Sequence, residues 1–204
     1  MAGDRIWCDG ILELMWPWSH LAVGYVAYSA FERLRGAGAP SQRNAFVLAV
    51  ATQVPDLVDK PLAWQFGVME SGVGIAHSLL VGVPIAVLLG AWLYRRGHPG
   101  AGGAIAVGHV THVLGDLLFG WLFGKPPLLP AFLWPLRSTV EPASASAGFA
   151  DRVWDLLLNS QELFATPTGR QYFLLQGVLL LVTVGLWFND GMPGLKPWRR
   201  AEKP

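Results

Sequence analysis

Residues 100–123 read GAGGAIAVGHVTHVLGDLLFGWLF, an apolar stretch that contains three side chains of metal-binding type, His109, His112 and Asp116. A helix of this length extends about 36 Å, which is enough to cross the roughly 30 Å hydrocarbon core of a bilayer. At about 100° per residue, offsets of three and seven residues place the two histidines and the aspartate on one face. The stretch therefore predicts a membrane helix with a polar stripe.

Four further apolar segments accompany this helix. Residues 15–31, 73–94 and 172–188 are long enough to cross the bilayer, whereas residues 45–58 are short and fit a tilted helix, a partial span or a buried helix. Residues 149–158 place apolar side chains at helical spacing among charged ones, which predicts an amphipathic helix. The predicted fold class is all-α: a polytopic membrane helix bundle of about five apolar helices plus one amphipathic interfacial helix.

The composition agrees with a membrane protein. Hydrophobic residues make up 52% of the chain and charged residues 14%, whereas soluble domains carry about 25% charged residues. The net charge of +1 supplies no basic field, so nucleic acid is excluded as a partner. Cys8 is the only cysteine, which excludes an intrachain disulfide and a thiolate metal cluster. Acidic residues near the N-terminus do not fit a secretion leader.

The whole chain, 1–204, is expected to form a single integral membrane domain. Lysine and arginine are more frequent in the loops after the first and third apolar segments and in the tail than in the opposite loops. This bias favours a multi-pass protein of the cell membrane with its N-terminus outside and its C-terminus cytoplasmic. The expected parts are a metal-site helical core (15–124), a loop with the amphipathic helix (125–171), a last membrane helix (172–188) and a polar tail (189–204).

Polar side chains also occur in the other apolar segments. His20 lies in the first, Asp56 near the end of the second, and His77 near the start of the third. In an up-and-down bundle these positions share one side of the membrane with the later part of 100–123. A charge at the bilayer centre costs roughly 2.5–3.5 kcal/mol, so such groups indicate a function. The predicted metal site consists of His20, Asp56, His77, His109, His112 and Asp116.

Imidazole and carboxylate ligands without thiolate suit a divalent metal ion, zinc or manganese above all, with iron(II) as a further candidate. Such an ion lowers the pKa of a bound water and yields a nucleophile, for which Asp116 is a candidate catalytic partner. The groups exceed one tetrahedral set, so either two ions bind or some groups orient the ligands. Asp59, one turn after Asp56, is a candidate ligand or general base, or else a solvated loop acid. Arg137 is a candidate for binding an anionic substrate, with an interfacial anchor as the alternative.

Five motifs follow one another along the chain: WSHLAVG (18–24), VPDLVD (54–59), AHSLL (76–80), GHVTHVLGD (108–116) and FLWPLR (132–137). In this order they resemble the LexA-regulated, membrane-bound family of predicted metal-dependent hydrolases. The resemblance covers about 15–138 and implies a metal-dependent hydrolase in the membrane. Departures from the family pattern include the acidic pair, which is D-L-V-D rather than D-x-D, and Ala76, where the family often has threonine.

Three functions remain open at this point. The leading hypothesis is a membrane-embedded metal-dependent hydrolase, whose partners are the lipid bilayer and a lipid-like or amphiphilic substrate such as a phosphoester. The alternative is a transporter or sensor that binds a divalent metal without hydrolytic chemistry. A structural membrane protein with polar packing clusters is the third, and it predicts no stoichiometric metal.

Overall fold

Seven α-helices follow one another along the part of the chain that the computed structural model describes, residues 15–69, 71–123, 129–136 and 149–195. No strand occurs in these residues, which confirms the all-α prediction. Short 3-10 turns lie at Gly120–Phe123 and Ala131–Leu133. The helices are α1 (Pro17–Leu34), α2 (Gln42–Ala51), α3 (Val54–Trp64), α4 (Gly82–Arg95), α5 (Pro99–Phe119), α6 (Phe149–Ala165) and α7 (Pro167–Asn189).

Local sequence signals set several of the helix starts. The side chain of Ser41 caps α2 by accepting a hydrogen bond from the Asn44 N–H, and Thr166 caps α7 in the same way from Gly169. Pro17 begins α1, where the missing N–H of proline costs no helical hydrogen bond. These devices supply partners for the N–H groups that a helix start leaves free.

The expectation of five apolar membrane helices is wrong for the described residues. Two helices are long and apolar enough to cross a membrane: α5 with its following turn (Pro99–Phe123), and α7. The segment 45–58 divides at Thr52 and Gln53 into α2 and α3. The segment 73–94 becomes helical only at Gly82, because backbone N–H groups before it bond to Asp59 instead. Helix α6 is present as predicted, and its interfacial placement stays a prediction.

Helix α5 is the centre of the fold and packs against α1, α2 and α4. Its contact with α4 is close because glycines face each other across it. A Cβ atom added to Gly102 would lie 2.3 Å from the Gly90 carbonyl oxygen, and one added to Gly90 would lie 2.6 Å from the Gly102 carbonyl oxygen. Small residues allow backbones to approach in this way in membrane helix pairs.

The substitution Gly102→Ala is expected to destabilise the protein, because the clash involves backbone atoms that cannot rotate away. We expect a loss of about 1–3 kcal/mol in the free energy of unfolding, the usual range for overpacking. The matched control is Gly185→Ala in α7, where an added Cβ meets nothing within 4 Å. Thermal unfolding in detergent should show a lower midpoint for the first variant only. Equal midpoints would contradict the close packing of α4 on α5.

The C-terminal end of α7 is held to α1 by a carboxylate. Asp190 accepts hydrogen bonds from the hydroxyls of Tyr25 and Ser29, each at 2.8 Å, and forms an ion pair with Arg33. Burial tends to raise the pKa of Asp190, but the hydrogen bonds from Arg33, Ser29 and Tyr25 outweigh it and hold the pKa below its ordinary value. These three interactions hold the C-terminal end of α7 beside α1.

Candidate metal centre

Four ligand-type side chains converge in the interior from three parts of the chain. Asp56 comes from α3, His77 from the irregular segment before α4, and His112 and Asp116 from α5. These four residues are called the four-residue group below. One ligand atom of each lies within 4.8 Å of the other three, and all four side chains are buried. The predicted polar stripe of α5 therefore faces two other elements rather than lipid.

Asp59 lies behind His77 and determines how its ring is oriented. Its carboxylate accepts hydrogen bonds from the backbone N–H groups of Gly74, Ala76 and His77, at 2.9–3.1 Å. It also lies 2.8 Å from Nδ1 of His77. Nδ1 therefore carries the proton that is donated to the carboxylate, and Nε2 keeps a free lone pair. A carboxylate behind a histidine in this way is common at metal sites and raises the basicity of the ligand.

His112 is oriented in the same sense by a backbone carbonyl. Its Nδ1 lies 2.7 Å from the Thr52 oxygen and donates to it, which leaves Nε2 unprotonated. Nε2 of His112 and Nε2 of His77 are 3.1 Å apart. Two lone pairs at this distance repel each other unless a metal ion or a shared proton lies between them. Oδ1 of Asp56 is also buried and has no hydrogen-bond partner, so a third electron-rich atom faces the same point.

The four nitrogen–oxygen distances among the inward atoms are close to those expected around one metal ion. Nε2 of His77 lies 3.5 Å from Oδ1 of Asp56 and 3.6 Å from Oδ2 of Asp116. Nε2 of His112 lies 3.7 Å and 3.6 Å from the same two oxygens. Ligands bonded at about 2.0–2.2 Å to a tetrahedral ion lie about 3.3–3.6 Å apart. The residues present therefore fit a divalent metal ion.

His20 lies beside this group. Its ring stacks on that of His112 with centroids 3.7 Å apart, and its Nε2 is 3.2 Å from Oδ1 of Asp116. That approach lacks hydrogen-bond alignment, so both ring nitrogens of His20 are buried without a hydrogen-bond partner. Oδ1 of Asp116 accepts the Met15 N–H at 2.8 Å. Asp116 thus directs one oxygen to the other members of the four-residue group and the other oxygen to His20. Ligation of a metal by His20 stays a prediction.

His109 points away from the four-residue group. Its Nε2 lies 2.9 Å from the Ala76 carbonyl oxygen and donates a hydrogen bond to it, next to His77 in the chain. In this position it supports the segment that carries His77, and direct ligation by His109 stays a prediction. Arg137 lies outside the described residues. Asp59 is placed as an orienting group, and its proposed role as general base is not tested by this geometry.

Three contributors to the site were not identified from the sequence. Lys60 lies one turn after Asp56, and its Nζ is 2.6 Å from Oδ2 of that carboxylate. The Thr52 carbonyl is a backbone group, which no residue pattern reveals. Gln176 accepts hydrogen bonds from Ser19 at 2.5 Å and from Trp18 at 3.1 Å, next to His20. As a lone buried amide in an apolar helix, Gln176 could have been recognised from the sequence.

The fold and the site define a class: the described residues form an all-α protein with two helices long and apolar enough to cross a membrane and a buried histidine and aspartate group that could hold a metal ion. Residues 10–191 match the family model described as YdjM inner membrane protein. Because the match covers most of the chain, the protein belongs to this family, which supports a location in the cell membrane. No curated protein and no solved structure matches the chain. The family description names no reaction or regulator, so hydrolysis, LexA regulation and the orientation in the membrane stay predictions.

Proposed function

We propose that the protein is a membrane-embedded metal-dependent hydrolase that acts on a lipid-like or amphiphilic substrate. The observation that supports this most directly is the approach of Nε2 of His77 and Nε2 of His112 to 3.1 Å, with a carboxylate oxygen of Asp56 and one of Asp116 beside them. Zinc and manganese are the preferred ions for such ligands. A divalent ion held there would lower the pKa of a bound water and polarise a substrate oxygen.

The residues around the four-residue group have separate roles in this proposal. Asp59 and the Thr52 carbonyl hold the two histidine rings in the orientation that leaves Nε2 free. Asp116 is the candidate for handling a proton, because its Oδ1 lies 3.2 Å from the otherwise unpaired Nε2 of His20. A proton accepted by this pair stays in the interior, since His20 and Asp116 are both almost fully buried. His109 keeps the Ala76 backbone, and with it His77, in position.

A second candidate function is a site that binds a metal for sensing or transport without chemistry. One observation favours it: the protein offers four ligand groups at one point, the number that closes a structural site, whereas catalytic sites keep a position for water. Hydrolysis at this site requires either a carboxylate that yields its position to water or a fifth ligand. The two functions therefore differ in whether the bound ion reaches a substrate.

The test is product release from a panel of amphiphilic phosphoesters and carboxylic esters by the purified protein in detergent. We expect release that requires added zinc or manganese and that is lost in the His77→Ala/His112→Ala double variant. Release that survives both chelation and the double variant would exclude this site as the source. Stoichiometric metal without cleavage of any substrate would favour the second candidate.

A further inference from the structure

One side of the metal centre is less buried than the rest. The side chains of His77, His112 and Asp116 are 1% exposed or less, whereas those of Asp56 and Lys60 are 10% and 18% exposed. Among the described residues, Asp56 and Lys60 therefore form the most exposed side of the centre. Lys60 is the more exposed of the two.

Lys60 places a positive charge beside the second oxygen of Asp56. Asp56 directs Oδ1 inward to the histidines and Oδ2 outward to Nζ of Lys60 at 2.6 Å. With a divalent ion bound, the ion and Lys60 together balance the charges of Asp56, Asp59 and Asp116. An ion on the Oδ1 side of Asp56 also weakens the hold of that carboxylate on the ammonium, which frees Lys60 to pair with a further anion. Among the described ion pairs, Lys60 is the only lysine or arginine that contacts a carboxylate of this centre.

Apolar side chains flank this ammonium along α3. Leu57 precedes Lys60 by three residues and Trp64 follows it by four, so the three lie on one face of the helix. Leu57 is 64% exposed, and Nζ of Lys60 lies 5.7 Å from the Trp64 ring centroid. Phe66 and Val68, just after α3, are also exposed. A cation within an apolar surface complements a molecule with an anionic head and an apolar body.

We propose that Lys60 binds the phosphate group of an anionic amphiphile at the exposed side of the metal centre, with the apolar part of that molecule along Leu57 and Trp64. This inference rests on the proposed function and narrows its substrate class to phosphate-bearing amphiphiles. Lysine suits this role because its ammonium binds phosphate as a mobile point charge on a flexible stem. Lys60 selects the substrate, and the metal ligands remain those of the four-residue group.

The test compares binding by the full-length, metal-loaded protein in detergent with that of Lys60→Gln and Lys60→Arg. The probes are a short-chain phosphatidic acid, the matching uncharged diacylglycerol and inorganic phosphate, each measured by calorimetry. We expect Lys60→Gln to keep its metal and to bind phosphatidic acid roughly 10- to 100-fold more weakly, the usual effect of losing a charged hydrogen bond. Binding of the diacylglycerol should be unchanged, and Lys60→Arg should recover most of the affinity.

Arg96→Gln is the matched control, because Arg96 is also a cation over a tryptophan, 5.2 Å from the ring of Trp92, at the end of α4. It should bind phosphatidic acid as the unaltered protein does. The proposal would be overturned if Lys60→Gln bound phosphatidic acid with unchanged affinity, or if it lost as much affinity for the diacylglycerol. Loss of the metal from Lys60→Gln would also overturn it, because Lys60 would then only neutralise Asp56. Inorganic phosphate bound as tightly as phosphatidic acid would also overturn it, since the source would be free phosphate. If the protein cleaves phosphatidic acid, its non-hydrolysable phosphonate analogue replaces it, so that affinity is measured separately from hydrolysis. Absent hydrolysis would refute the proposed function and leave the binding result readable.

Discussion

Replacing both His77 and His112 with alanine is expected to lower the metal content of the purified protein from about one ion per chain to near zero. The two rings supply both nitrogen atoms of the four-residue group, and the remaining pair of carboxylates is a weak set for zinc. Elemental mass spectrometry of detergent-purified protein, reconstituted with zinc or manganese, measures the stoichiometry directly. Metal retained by the double variant would show that the ion binds elsewhere.

Two single variants serve as controls for this result. His98→Ala removes an exposed histidine next to the start of α5, about four helical turns before His112, and should leave the metal content unchanged. His109→Ala should keep about one ion per chain with lower affinity, because His109 supports the Ala76 carbonyl and lies outside the four-residue group. Complete loss of metal in His109→Ala would favour the prediction that His109 is itself a ligand. No metal in any sample, the unaltered protein included, would favour a structural role for the polar cluster.

The substitution Asp59→Asn is expected to weaken metal binding about 10- to 100-fold, the usual effect of removing a partner that orients a metal-bound histidine. An asparagine oxygen can still accept hydrogen bonds from the segment 74–77, so the fold should survive. The negative charge that keeps the proton on Nδ1 of His77 is lost, and Nε2 becomes a poorer ligand. Competition with a chelator of known affinity measures the change.

Asp190→Asn is the matched control for this prediction. Asp190 is also a carboxylate whose side chain is buried and held by three side chains, but it binds α7 to α1 and touches no group of the metal centre. It should lower thermal stability and leave the metal affinity of the folded protein unchanged. Equal losses of affinity in the two variants would mean that Asp59 acts through general stability and not through His77.

Much of the site was predictable because helical periodicity is a local property. Spacing alone places His112 and Asp116 on one face of α5, and the structure keeps them together in the four-residue group. The same periodicity places His109 on nearly the same face, three residues earlier, but there it donates to the Ala76 carbonyl, and its ligation stays a prediction. Its direction depends on where the segment before α4 passes, and no spacing within α5 contains that information.

The apolar segments show the same division between local and tertiary information. The sequence by itself determined that the chain is an all-α membrane protein and that histidine and aspartate side chains belong inside it, because hydropathy and helical period are properties of neighbouring residues. Only the tertiary structure decided that 71–81 is irregular, that α2 and α3 are separate helices, and that Asp59 orients His77. The physical reason is that buried N–H groups must find acceptors. Because the Asp59 carboxylate accepts hydrogen bonds from N–H groups of the segment 74–77, this segment is irregular, although its apolar sequence favours a helix.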